Sequence, residues 1–172
     1  MTYWDYKVDN EPSVMAFPFF NKNDTGEIVW SIKNETGFEL FPFQVRMLNR
    51  LLEHKDICVC RGGGRSLVVK GIAKYYAEKE HKPELKKLIV KKLDKNDYTK
   101  SSEYLFTWQD IVECGIADEK WIENLRTSMP ADVWKREFCC KYTPMSKEQQ
   151  REMIHANDTF IIIKPHPAME FV

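Results

Sequence analysis

The feature that most constrains the fold of this chain is a short apolar run followed, after one arginine, by three glycines. Asp56-Ile-Cys-Val-Cys60 is bounded by charge, as expected for a strand buried on both faces. The glycines at 62 to 64 follow, and apolar residues at helical spacing predict a helix from Arg65 to Glu80. The segment therefore predicts a strand, a glycine-rich loop and a helix in succession, the opening of a βαβ unit with parallel strands.

Further patterns on either side complete an α/β prediction. Apolar residues alternate in Glu27–Lys33, which predicts a half-buried strand, and Leu85–Val90 predicts a second buried strand. A helix is expected after Pro42, and an exposed loop over Lys91–Ser102. The predicted fold is a small, partly parallel sheet with flanking helices, followed by a mostly helical C-terminal half.

The C-terminal half contains several predicted helices and one strand. The helices run from Trp108 to Gly115, from Asp118 (as N-cap) to Ser128, from Pro130 in a first turn, and from Ser146 to Ala156; the strand covers Thr159–Lys164. A length of 172 residues suits one domain. We expect a single domain over residues 1–172, with an irregular arm at 1–26, an α/β part at 27–92 and a mostly helical part at 103–164.

Charge is balanced overall but not along the chain. The 26 basic residues equal the 26 acidic ones, which excludes the global basic field of a dedicated nucleic-acid binder. Ten lysines against five acids nevertheless fall between Lys70 and Lys100. This stretch is either a solvated helix face or a surface for DNA, RNA or a protein partner. The candidate contact residues are Lys70, Lys74, Lys86, Lys87, Lys91 and Lys92.

The cysteines and histidines predict neither a metal site nor a catalytic site. Five cysteines without any C-x-x-C pair are interpreted as small buried apolar residues in a reducing cytosol. The four histidines are far apart in the sequence, and none has a partner at metal-ligand spacing. No stretch approaches the ~20 apolar residues that a membrane span needs. We therefore expect a cytoplasmic protein without metal and without a membrane partner.

The glycine loop has the composition of an anion site. Consecutive glycines let backbone N–H groups point into one concavity, to which the following helix adds its positive end. Against the pattern G-x-x-x-x-G-K-[ST], Gly64 and Ser66 match, whereas Val59 replaces the first Gly and Arg65 replaces the Lys. Two interpretations stand: a site for phosphate or ATP, or a turn kept for tight packing. The predicted phosphate-binding residues are Gln44, Arg61, Gly62, Gly63, Gly64, Arg65 and Ser66, and no resident cofactor is expected.

Three stretches together resemble the ATPase of phage terminase large subunits. Leu40-Phe-Pro-Phe-Gln44 is similar to the segment whose Gln contacts adenine in that family, and Arg61 coincides with an arginine of the family's variant phosphate loop. Thr107-Trp-Gln-Asp110 and the run from Ser128 to Cys140 are similar to a later family motif. The resemblance implies a terminase-like ATPase fold encoded by a phage or prophage.

The chain departs from the family where catalysis is concerned. Only about forty residues separate Ser66 from Thr107, and no strand ends in the Asp-Glu pair that holds Mg²⁺. Leu88-Ile-Val90 is followed by two lysines, and we find no match to the family's nuclease domain within the 172 residues. From the phage context and by elimination of catalysis, we expect a non-catalytic binding protein that inhibits a host defence nuclease such as a CRISPR-Cas effector. The alternatives are an ATP-binding relic with a role in DNA packaging and a DNA-binding accessory protein that uses the Lys70 to Lys100 stretch.

Overall fold

The computed structural model describes residues 17–96, 102–141 and 148, and in these ranges the protein is mixed α/β and mostly helical. A short 3-10 helix covers Lys22–Asp24. The α-helices are α1 Thr25–Thr36, α2 Pro42–Leu52, α3 Arg65–Lys79, α4 Glu84–Leu93, α5 Trp108–Glu113, α6 Glu119–Ser128 and α7 Ala131–Glu137; the strands are β1 Ile57–Val59 and β2 Tyr104–Phe106. The predicted class, a small parallel sheet with many helices, is confirmed at this level.

The described residues divide into two compact units. The helical unit comprises 17–56 and Arg65–Lys95, and the strand unit comprises Ile57–Gly64 with the described residues from Asn96 onward. The chain therefore leaves the helical unit at β1 and returns to it at the start of α3. The single-domain organisation remains a prediction.

Helix α1 replaces the strand that we predicted over Glu27–Lys33, so that prediction is wrong. Ile28 and Ile32 are buried, as both a strand and a helix would have them, but Trp30 between them is 67% exposed. At 100° per residue, position 30 lies on the far side of a helix from position 28. Gly37, with a φ of 73°, ends the helix in the left-handed conformation, and this is the turn that the sequence predicted after the strand.

Helix α3 is the central element of the helical unit, since α1, α2 and α4 all pack against it. Gly71 permits the close approach of α1, because an added Cβ there would lie 2.5 Å from Cγ1 of Ile32. Near the end of α3, the Tyr76 hydroxyl donates to the buried Asp24 carboxylate at 2.8 Å, and Lys79 Nζ lies 3.0 Å from the same oxygen. These contacts attach the 3-10 turn to α3.

Helix α4 is a second correction, because we predicted a buried strand over Leu85–Val90. Leu85 and Ile89, four residues apart, are fully buried, while Lys86 and Lys87 are exposed. This is the pattern of an amphipathic helix packed on one side. The expected loop from Lys91 is also shortened, since α4 continues to Leu93.

The strand unit contains the parallel pair that the glycine loop predicted, with a different second strand. All three residues of β1 are buried, and Ile57, Cys58 and Val59 pair with Tyr104, Leu105 and Phe106 in parallel register. The connection between the strands contains both α3 and α4 rather than one helix. The parallel pairing is confirmed, and Tyr104–Phe106 takes the place of Leu85–Val90.

Short capped helices follow β2, close to the predicted positions. Thr107 precedes α5, and its backbone N–H donates to the Asp110 carboxylate at 2.9 Å. Asp118 caps α6 as predicted, accepting a 2.7 Å hydrogen bond from the N–H of Trp121. Pro130 is the N-cap of α7.

Three of the five cysteines lie in the core of the strand unit, as predicted, whereas Cys114 and Cys139 are only half-buried. Cys58, Cys60 and Cys140 are buried, and desolvation raises the pKa of the Cys60 thiol. The Cys140 thiol donates to the Phe106 carbonyl at 3.4 Å. The predicted strand Thr159–Lys164 and most of the predicted helix from Ser146 lie outside the described residues, as does the arm before residue 17.

Candidate functional site

The glycine turn begins where β1 ends. The Cys60 N–H donates to Phe106 O at 2.7 Å, which extends the strand pairing by one bond. Gly62 and Gly64 have φ values of 77° and 84°, a left-handed conformation that favours glycine. Gly63 needs to lack a side chain for another reason, because an added Cβ would lie 2.5 Å from Val59 Cγ1. The turn therefore depends on its glycines for conformation and for close packing.

Arg61 is held within the strand unit by Glu137. Its backbone N–H donates to Glu137 O at 3.0 Å, and its Nε lies 3.4 Å from the Glu137 carboxylate. The Glu137 side chain is only 7% exposed, so it lies in a low-dielectric setting where a paired cation matters most. The predicted phosphate-binding arginine is thus the counterion of a buried carboxylate.

Arg65 and Ser66, the first residues of α3, are bound to the end of α4 inside the helical unit. Arg65 Nε donates to Leu93 O at 2.7 Å. Ser66 Oγ lies 2.9 and 3.0 Å from the two oxygens of Asp94. Asp94 follows α4, and its N–H donates to Val90 O at 3.0 Å. The two side chains that would contact phosphate and metal in the family therefore already have partners in the chain itself.

Asp94 and Asn96 are residues of this region that the sequence analysis missed. In the strand unit, the Asn96 amide accepts from Val59 N at 3.0 Å and donates to Val59 O at 2.9 Å. The Asn96 side chain thereby provides hydrogen-bond partners for the backbone N–H and C=O of Val59, as a neighbouring strand would. Both residues fell in a segment predicted as an exposed loop, and no pattern in the sequence distinguished them from solvated polar residues.

Gln44 serves as part of a helix cap. It is 2% exposed, and its Oε1 accepts from the backbone N–H of Phe41 at 3.0 Å. The bond joins the N3 residue of α2 to the N-cap position, which satisfies a backbone donor at the start of the helix. The sequence match to the family motif thus coincides with a structural role, and contact with adenine stays a prediction.

The predicted basic residues lie on two helices of the helical unit. Lys70 and Lys74 belong to α3, and the other four belong to α4. Lys74 is bound at 2.8 Å to Glu35, a hydrogen bond that raises the lysine pKa. Lys74 and Lys86 line a cleft together with Ala77 and Pro83.

Four of these lysines project toward solvent: Lys70, Lys86, Lys87 and Lys91 are exposed, whereas Lys92 is half-buried. We call Lys86, Lys87 and Lys91 the α4 lysines. Because they share one short helix, their charges act together on any ligand that approaches it.

Neither a metal site nor a membrane span emerges from the described part of the chain. In the residues that the structure describes, no three or more His, Cys, Asp or Glu side chains are grouped as metal ligands. Within the same ranges, no helix has both the length and the apolarity to cross a bilayer. Comparison with protein-family models, curated proteins and solved structures gives no match for this chain.

Proposed function

We propose that this chain is a non-catalytic binding protein built on a reduced terminase-like ATPase fold, with a degenerate phosphate loop, and that it inhibits a host defence nuclease of the CRISPR-Cas type. The observation that carries the non-catalytic part is the internal bonding of Arg65 and Ser66 to Leu93 and Asp94. The phage or prophage origin and the class of target rest on the resemblance of the sequence.

Phosphoryl transfer needs loop groups that are available to the nucleotide. A loop cation must reach the β- and γ-phosphates, and a loop hydroxyl must reach Mg²⁺. Here the guanidinium of Arg65 donates to a backbone carbonyl, and the Ser66 hydroxyl lies on a carboxylate. Exchanging each of these bonds for a ligand bond costs about 1 kcal/mol or more before any gain. The loop is therefore better suited to holding α3 and α4 together than to turnover.

The α4 lysines supply the binding surface in this proposal. They are exposed on one helix, and such a cluster attracts the phosphate backbone of nucleic acid in a salt-dependent manner. The guide channel of a CRISPR effector is itself positively charged and would repel them. We therefore place the contact on the nucleic acid of a guide-loaded complex rather than on the empty effector.

Plasmid interference tests the proposal. The chain is co-expressed with representative CRISPR nucleases, and cleavage of a target plasmid is measured together with binding of purified chain to the guide-loaded and guide-free effector. We expect interference to fall and binding to require the guide. The joint change of the three α4 lysines to Gln abolishes inhibition, whereas Arg65→Ala leaves it intact. Full cleavage with every effector and no co-purification would remove this function.

An ATP-binding relic is the second candidate, and the Ser66 and Asp94 pair favours it. A hydroxyl beside a carboxylate offers oxygen ligands of the kind that Mg²⁺ prefers. If this candidate is right, Mg-ATP raises the melting temperature of the wild-type chain and has no effect on Asp94→Ala. If ATP changes neither melting temperature, the relic function is excluded and the scaffold interpretation of the loop stands.

A further inference from the structure

A cationic cleft lies in the helical unit, and none of its lining residues is among the predicted site residues. It is formed by the 3-10 turn and one face of α2, and its lining residues are Lys22, Asn23, Arg46, Asn49, Arg50 and Glu53. Positions 46, 49, 50 and 53 recur at helical spacing and so share one face of α2. All six lining residues are polar, and three of them are cations.

The charges in this cleft are arranged around one carboxylate. Glu53 binds Arg50 at 3.1 Å and lies 3.9 Å from Lys22, so it holds these two cations toward the same space. Arg46 adds a third positive charge and is exposed. The lining thus contains three cations and one carboxylate, and Glu53 competes with any incoming anion.

The amide of Asn49 lies next to a hydroxyl. Its Oδ1 lies 2.5 Å from Thr25 Oγ1, a hydroxyl that also lies 2.7 Å from Lys22 O, and its NH₂ group is the donor that the amide offers to a ligand. An arginine guanidinium presents parallel N–H donors in a fixed geometry, so it can hydrogen-bond two oxygens of one phosphate. A neighbouring amide N–H can donate to a further oxygen.

We infer that this cleft is a phosphate-binding site, with Arg46 as its principal ligand-binding residue and Arg50, Lys22 and Asn49 as supporting donors. The phosphate could belong to a free oligophosphate or to a nucleic-acid backbone, and the two sources share this chemistry. The inference is independent of the glycine loop and of the α4 lysines, so it stands or falls separately from the proposed function.

Titration of the full chain by NMR tests the site. Inorganic triphosphate and a single-stranded oligonucleotide are added in separate arms, and the arginine Nε–Hε and asparagine side-chain resonances are followed. We expect saturable shifts of Arg46, Arg50 and Asn49 at concentrations below about 10 mM, the range that separates a site from bulk screening. The arm with the tighter binding identifies the source of the phosphate.

Three variants make the result decisive. Arg46→Gln should weaken binding about tenfold, which corresponds to one strong charge-assisted contact. Glu53→Gln should strengthen it several-fold because the competing carboxylate is gone, a gain that damage to the fold would not produce. Lys33→Gln, an exposed lysine paired with Glu39 elsewhere in the unit, should leave it unchanged. Absence of saturable shifts, weaker binding in Glu53→Gln, or equal losses in Lys33→Gln and Arg46→Gln would overturn the inference.

Discussion

The glycine-loop residues and the α4 lysines are both rich in positive charge, but the chain uses them in opposite ways. Arg61 and Arg65 are bound internally, to Glu137 and to Leu93 O, whereas Lys86, Lys87 and Lys91 extend into solvent. A cation with an internal partner contributes to stability, and one without such a partner is available for binding. The two loop arginines are therefore bound within the chain, and the proposed function assigns binding to the α4 lysines.

The largest effect is expected at the glycine turn itself. Gly63→Ala would place a methyl group 2.5 Å from Val59 Cγ1 and 3.1 Å from the Cys60 carbonyl, against a buried strand that has little room to move. We predict a loss of about 2 kcal/mol or more in unfolding free energy, as overpacking typically produces. Chemical denaturation measures it. Gly26→Ala, where an added methyl group meets open space, is the control and should be neutral or slightly stabilising.

Lys79 sharpens the comparison because it lies in the lysine-rich stretch but is held by Asp24. Desolvation raises the pKa of Asp24, but hydrogen bonds from Tyr76 and Lys79 and the lysine charge outweigh it, and the net pKa is lowered. A carboxyl with a lowered pKa stabilises the fold above its unfolded pKa of about 3.9, and this contribution is lost as the pH falls through the folded pKa.

Asp24→Asn should therefore cost about 1 to 3 kcal/mol at neutral pH, the range for a disrupted buried hydrogen-bond group. It should also flatten the acid limb of stability against pH, which denaturation between pH 3 and 7 measures. Glu35→Gln, at the exposed partner of Lys74, should change stability much less. Equal effects of the two variants would contradict the distinction between a lysine paired with the buried Asp24 and a lysine paired with the exposed Glu35.

The Ser66 and Asp94 pair should have a smaller effect, of about 1 kcal/mol for either Ser66→Ala or Asp94→Ala. Because each change removes the same bond, the double variant should be hardly less stable than the single ones. A full double-mutant cycle by denaturation tests this. Strictly additive losses would show that the 2.9 Å contact does not stabilise the fold.

The smallest stability effect belongs to the α4 lysines. Changing Lys86, Lys87 and Lys91 jointly to Gln should shift the unfolding free energy by no more than about 0.5 kcal/mol per site, because surface side chains away from special contacts contribute little. The same variant should lose binding to the guide-loaded complex. If the variant still binds the guide-loaded complex, the α4 lysines are not the binding surface.

Elements with a pattern repeated over several residues were predicted correctly, and elements with a pattern carried by two or three residues were not. The helices after Pro42 and from Arg65 were predicted because several apolar positions repeat at helical spacing. Over Glu27–Lys33, the burial of Ile28 and Ile32 is compatible with a strand and with a helix. Only the exposure of Trp30 distinguishes the two structures. Because Trp30 is a large apolar residue between Ile28 and Ile32, the segment shows the alternation of a strand although it forms a helix.

Strand β2 and the loop contacts were beyond the sequence for other reasons. Tyr104–Phe106 has three residues, with Leu105 48% exposed, so it offers no repeat to detect. Asp94 and Asn96 act through partners about thirty residues away, Ser66 and Val59. Such contacts are set by tertiary packing, which local patterns do not encode. The glycine loop could be located from the sequence, but the internal bonding of its side chains could not.

The most direct test of the central claim is to follow the Arg65 Nε–Hε resonance while Mg-ATP is added, with phosphate release measured in the same sample. The bond from Arg65 Nε to Leu93 O predicts that the resonance stays at its initial shift and that no phosphate appears above the uncatalysed background. A saturable shift of that resonance, accompanied by phosphate release that Asp94→Ala abolishes, would contradict the claim that the loop is structural.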